Sequence, residues 1–199
     1  IYHGLPLDLY KSYEGDGKYL AFIGRMSREK RPDRAIEIAL RTGIPLKIAA
    51  KIGVQDEEYY YKEIKPLIDN NPLIEFIGEI GEKDKNEFLG NAIAMLFPID
   101  WPEPFGLVMI ESMACGTPVI AWSQGSVPEI IDHGVSGFVV QSVEESVEAI
   151  RKISSISRKK VREAFERRFS SKVMTQNYLD LYDDLRNVKP ISEAKYLNF

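Results

Sequence analysis

Short apolar runs alternate with amphipathic segments along most of this chain, and that alternation constrains the fold more than any other feature. Tyr19-Leu20-Ala21-Phe22-Ile23 reads as a buried strand ended by Gly24. Pro32-Asp33 then opens a helix through Ala35, Ile36, Ile38 and Ala39 that stops at Gly43. Further strands are expected at Leu46-Lys47-Ile48-Ala49, Ile74-Glu75-Phe76-Ile77, Ala94-Met95-Leu96-Phe97, Pro118-Val119-Ile120-Ala121 and Gly137-Phe138-Val139-Val140. Helices over 57–70, 83–91 and 107–115, and one or two turns over 128–132, separate them. The pattern predicts an α/β fold: a Rossmann-like, doubly wound parallel sheet of about six strands with helices on both faces. From Val143 the chain reads as helices only, over 143–154, 158–169 and 172–185. One domain is therefore expected over 1–185. Pro190 and a lack of periodicity mark 186–199 as an extended or disordered tail.

The start, Ile1-Tyr2-His3-Gly4, reads as strand-like. Because it begins with Ile rather than Met, the chain is expected to be a fragment whose N-terminal partner domain is missing. Its 199 residues suffice for one sizeable core. With 44% hydrophobic and 28% charged residues, a disordered chain is excluded. A formal net charge of -4 argues against nucleic-acid or membrane-surface binding. No apolar run is long enough to span a bilayer, and no secretory signal opens the chain. The single cysteine, Cys115, allows no internal disulfide and reads as a small core residue, which fits a reducing cytoplasm. The basic run Arg158-Lys159-Lys160, with Arg162, Arg167 and Arg168, reads as a solvated helix face.

In open α/β sheets ligands sit beyond the carboxyl ends of the strands, and four such ends carry unusual residues. In Gly24-Arg25-Met26-Ser27-Arg28-Glu29-Lys30 the glycine admits close approach of a ligand. Arg25 and Lys30 could grip a phosphate; a solvated basic loop is the alternative. In Glu103-Pro104-Phe105-Gly106-Leu107, Gly106 precedes a helix whose free N–H groups near Leu107 and Val108 form an anion site. Glu111, one turn on, points its carboxylate back toward that site and suits ribose hydroxyls. Glu103 suits the hydroxyls of a transferred sugar. Both acids would otherwise be surface residues, although the near-apolar helix around Glu111 argues against that. Two acids beside a diphosphate need cations, and Arg25 with Lys30 could supply them, joining the loops into one site. The loop Gly78-Glu79-Ile80 could meet a nucleobase or be a plain turn. In Ala49-Ala50-Lys51, small residues leave room for a base or ribose, and Lys51 could reach a phosphate.

These residues together resemble the C-terminal, donor-binding half of the retaining glycosyltransferases of group 1, or family 4. Glu103-Pro104-Phe105-Gly106 followed by Glu111 is similar to that family's paired-glutamate motif. Met113-Ala114-Cys115-Gly116-Thr117-Pro118, Gly125, Pro128-Glu129-Ile130-Ile131 and Gly134-Val135-Ser136-Gly137-Phe138 continue the pattern, as do Gly24-Arg25 and Lys30. The resemblance covers residues 1 to 185. It implies one half of a GT-B fold and transfer of a sugar from a UDP or GDP sugar with retention, inactive without the N-terminal domain. By that likeness Arg25, Lys30 and Glu103 are catalytic. Gly24, Arg25, Lys30, Lys51, Ile80, Glu103, Phe105, Gly106, Leu107, Val108 and Glu111 bind the donor. No cofactor or catalytic metal is implied, and the sequence has no Asp-x-Asp motif. The acceptor would be a sugar, lipid or small molecule. The location implied is the cytoplasm, with membrane association open for a full-length enzyme. A non-catalytic nucleotide-sugar-binding domain, an epimerase and a phosphorylase are the competing readings. His3-Gly4-Leu5-Pro6 matches the interdomain linker. Val173, Tyr178, Leu181 and Tyr182 on the last helix would be left without their usual cover, which invites association between copies.

Overall fold

Six parallel strands form one sheet in the computed structural model, which describes residues 1–69 and 71–187. They are β1 (Tyr19–Arg25), β2 (Leu46–Lys51), β3 (Ile74–Gly78), β4 (Ala92–Phe97), β5 (Val119–Trp122) and β6 (Gly137–Val140), in the order β3-β2-β1-β4-β5-β6. This is the doubly wound arrangement expected from the alternation of strand and helix. Its order reverses between β1 and β4, so the connections leaving those two strands diverge and open a crevice at their carboxyl ends.

The helices are α1 (Pro32–Thr42), α2 (Glu57–Tyr59) and α3 (Lys65–Ile68), joined by the π turn Tyr60–Ile64, then α4 (Glu82–Gly90), α5 (Leu107–Ala114), α6 (Val127–Ile130), α7 (Val143–Arg151), α8 (Arg158–Phe169) and α9 (Ser171–Asn187). Their ends have local causes. Pro32 opens α1, and Gly43, with φ 67°, closes it. At α7, Ser142 Oγ accepts from the Glu145 amide at 3.1 Å while the Glu145 carboxylate accepts from the Gln141 amide at 2.8 Å. That is a reciprocal capping arrangement shifted by one residue.

Strand side chains alternate between the faces, so the sheet separates two cores. Ala21, Met95, Phe97, Val119 and Ala121 pack with Met109, Met113, Phe165 and Phe169 on one face. Leu20, Phe22, Ile48, Leu96 and Ile120 pack with Ile36, Ile38, Ile64 and Ile150 on the other.

Three expectations are corrected. Ile1–Gly4 forms no strand; the segment is fixed instead where Leu5 N donates to Phe169 O at 2.9 Å and Ser171 N donates to Leu5 O at 2.8 Å. The basic run is not simply a solvated face. Arg158 donates to the carbonyls of Tyr13 (3.0 Å), Gly90 (2.6 Å) and Ala92 (2.8 Å) and to Thr117 Oγ1. Arg162 donates to the carbonyls of Leu7, Tyr10 and Ala114, and Arg168 to those of Glu129 and Ile130. Three of these cations therefore fasten α8 to the N-terminal segment and to the ends of α4, β4, α5 and α6 by filling backbone acceptors there. Lys159, Lys160 and Arg167 are exposed. Finally, α9 continues through Asn187, so the first two residues assigned to the tail are helical. The rest of that tail, 188–199, and Asn70, the last residue of the helix expected over 57–70, lie outside the described residues.

Candidate functional site

A cleft of about 360 Å³ opens at the carboxyl ends of the strands, on the β1–β4 side where the sheet order reverses. Its walls come from each successive strand end. Ile23 and Gly24 end β1, Ala49 to Lys51 end β2, Glu79 and Ile80 follow β3, and Phe97 ends β4. The segment from Glu103 into α5 adds Glu103, Gly106, Leu107, Val108 and Glu111. A Cβ built on Gly24 meets nothing within 4 Å, so the glycine leaves free space at the mouth of β1.

Gly106 sets the direction of α5. It stands at φ 77°, a left-handed conformation open to glycine at little cost. The chain reverses there, and α5 starts with no side chain capping its N-terminus. The first turn thus presents unsatisfied amides to the cleft at Leu107 and Val108. Glu111, the one charged residue of α5, is only 9% exposed in a helix whose other residues, Ser112 apart, are apolar. Two further contacts hold the preceding loop: the Ser126 amide donates to Glu103 O and Ser126 Oγ donates to Phe105 O, both at 2.9 Å. The Asp100 amide donates to Glu29 O at 2.8 Å, tying this loop to the one after β1.

The charges in the cleft balance. Lys30 forms an ion pair with Glu103, both largely buried. Lys85 lies 2.9 Å from Glu111 and 3.1 Å from Glu82. Lys51 and Glu79 face each other at 3.5 Å, both exposed. Burial works against the Lys85 ammonium, but its bonds to Glu111 and Glu82 outweigh burial and hold its pKa above the ordinary lysine value. An arriving polyanion would find Lys30, Lys51 and a helix N-terminus, and its hydroxyls would find carboxylates.

The structure brings Gly24, Lys30, Lys51, Ile80, Glu103, Gly106, Leu107, Val108 and Glu111 to this single cleft. Two expected residues do not line it. Arg25 is half exposed and forms an ion pair with Glu29 four residues on, so its guanidinium is engaged away from the wall. The Phe105 side chain lies on the far side of the Gly106 reversal. It packs edge-on to His3 at 4.8 Å and against Tyr2 and Phe169 at 6.2 and 6.1 Å between ring centroids. Trp101 is exposed and outside the cleft walls. His133 accepts from the Val139 amide at 3.1 Å and does not line the cleft. Sequence reasoning missed Lys85. Its signal was its place in the first turn of the helix after β3, close to a strand end that had already drawn notice. Among the described residues, no cluster of His, Cys, Asp and Glu is placed to hold a metal ion, and no helix is long and apolar enough to cross a membrane.

Residues 11–169 match the family model of the glycosyl transferases group 1. The N-acetyl-alpha-D-glucosaminyl L-malate synthase of Bacillus anthracis is 28% identical over 185 residues, covering 86% of this chain and 47% of the relative. The D-inositol 3-phosphate glycosyltransferase of Mycolicibacterium smegmatis is 32% identical over 137 residues, covering 63% of this chain and 29% of the relative. The chain thus spans less than half the length of these curated relatives. Among solved structures, AviGT4, a glycosyltransferase involved in avilamycin A biosynthesis, superposes with a TM-score of 0.77 at 25% identity, over 92% of this chain and 56% of that one. HepE of Anabaena, solved with UDP and glucose, superposes with a TM-score of 0.76 at 19% identity, over 91% of this chain and 55% of that one.

Proposed function

Because the chain belongs to the glycosyl transferases of group 1, we propose that it is the donor-binding half of a GT-B enzyme that transfers a sugar from a nucleoside-diphosphate sugar with retention of configuration. The observation that carries this reading is the convergence of lysines, carboxylates and an uncapped helix N-terminus on one cleft at the sheet's switch point. HepE, which shares the fold, binds UDP and glucose.

In this reading the diphosphate lies against the first-turn amides of α5, at Leu107 and Val108. Lys30 and Lys51 supply charge, and Arg25 swings in from the rim by exchanging Glu29 for phosphate. Charge-assisted bonds of this kind contribute about 1.5–3 kcal/mol each. The carboxylate of Glu111 accepts from the ribose hydroxyls. The backbone around Ile80 meets the base, where Ala49 and Ala50 leave room. Glu103, released from Lys30 as that lysine turns to phosphate, accepts from hydroxyls of the sugar. When the bond between sugar and diphosphate breaks, negative charge grows on the departing diphosphate. Lys30, Arg25 and the helix N-terminus then stabilise the transition state more than the ground state. The acceptor site belongs to a second domain, without which this half binds donor and transfers nothing.

Calorimetry with UDP and GDP tests the reading. Glu111→Ala and Lys30→Ala are each expected to weaken binding of the preferred nucleotide by about tenfold or more. Unchanged affinity in both variants would remove the cleft from the account.

A further inference from the structure

Lys85 is unassigned by the reading above, yet it stands at the centre of a connected polar chain. Its ammonium reaches Glu111 Oε1 at 2.9 Å and Glu82 Oε2 at 3.1 Å. Glu82 in turn accepts from the hydroxyl of Tyr10, a residue only 2% exposed. Asn86, on the same helix, bonds both backbone groups of Lys11, at 3.0 and 2.9 Å, so the segment carrying Tyr10 is clamped to α4. The lysine therefore has a fixed seat.

That seat matters for Glu111. A carboxylate on a largely apolar, buried helix face is costly to keep there unless a cation stands beside it. Of the other lysines in the cleft, Lys30 pairs with Glu103 and Lys51 with Glu79, which leaves Lys85 as the cation that Glu111 meets. Lys85 takes one carboxylate oxygen, Oε1; among the described residues, no protein donor bonds Oε2. A carboxylate with one oxygen committed and the other free is oriented to accept from a diol, whereas a freely rotating one must be ordered first.

We propose that Lys85 is a positioning residue for recognition of the ribose. Through its contact with Oε1 it holds the Glu111 carboxylate aimed, and acts on the nucleotide through Glu111 rather than through the phosphates. This rests on the assignment of Glu111 to the ribose, and the experiment separates the two ideas. Calorimetry compares UDP, 2′,3′-dideoxy-UDP and inorganic pyrophosphate on the wild-type chain, Lys85→Met, Glu111→Ala and the double variant. Lys85→Met is expected to weaken UDP about tenfold while changing dideoxy-UDP and pyrophosphate by less than about twofold. The double variant is expected to bind UDP no more weakly than Glu111→Ala, the non-additivity of residues acting as one unit. Equal weakening of all three ligands, or additive losses in the double variant, would overturn the proposal and show Lys85 to be a phosphate cation. If Glu111→Ala discriminates among the three ligands as the wild type does, the ribose assignment itself fails. Should Lys85→Met not fold, Lys85→Gln, neutral and of similar length, carries the same comparison.

Discussion

At the scale of single residues, backbone conformation and charge pairing divide the labour in the cleft. Gly125 shows how narrow the tolerance is. It stands at φ 54°, and a Cβ there would lie 2.4–2.6 Å from backbone atoms of Pro102 and Glu103. Both its conformation and its neighbours therefore exclude a side chain, and the neighbour is the loop that carries Glu103. Gly125→Ala is expected to cost about 1–3 kcal/mol in urea denaturation and to weaken nucleotide binding as well. Gly43→Ala is the control. Its φ is 67°, but a Cβ there meets nothing within 4 Å. It should cost about 1 kcal/mol of backbone strain and leave nucleotide affinity alone. If Gly125→Ala binds nucleotide as the wild type does, the support argued for the Glu103 loop is wrong. The sequence made the acids legible because each stands out against its surroundings: Glu111 in an apolar helix, Glu103 between two prolines. Lys85 did not stand out, since a lysine in a charged first turn looks like any surface residue until Glu111 is placed beside it.

At the scale of elements, helices are seated by side chains that the periodicity of the sequence does not single out. Arg158 begins α8 and fills three backbone carbonyls and one hydroxyl drawn from 13, 90, 92 and 117. Burial lowers its pKa from the ordinary arginine value, yet a guanidinium remains charged at any working pH. Arg158→Met would strand those acceptors beside an apolar chain, and a loss of about 2–5 kcal/mol is expected in urea denaturation. Lys159→Met, at an exposed position next door, should fall within about 0.5 kcal/mol of wild type. Equal effects at the two positions would contradict the account of α8. Strand and helix order was readable because it depends on local apolar periodicity, and β6 and α8 match their expected limits. The role of the basic run was not, because its carbonyl partners lie between 38 and 155 residues away in sequence. A run of arginines has the same letters whether it faces water or staples neighbouring elements together. Phe105 failed for a related reason. Its neighbours in sequence line the cleft, but the left-handed turn at Gly106 sends its ring to Tyr2, His3 and Phe169.

At the scale of the whole molecule, sheet topology decides where the chemistry can be. The order β3-β2-β1-β4-β5-β6 places the reversal between β1 and β4, and the loops that carry Lys30 and Glu103 leave from those two strands. No local signal in either loop required them to meet; the crossover does. The last helix carries Tyr178, Leu181 and Tyr182 exposed, as its sequence led one to expect, while Val173 is partly buried. The central claim is that a nucleoside diphosphate occupies the cleft at the switch point. Amide chemical-shift mapping by NMR during a UDP titration tests it most directly. The account predicts that the largest shifts fall on the amides of Gly24, Lys51, Ile80, Leu107 and Val108, with those of α7 and α8 unmoved. The largest shifts on the polar recess between Arg31, Tyr59 and Glu63, or on the face formed by Phe138 and Val147, would contradict it.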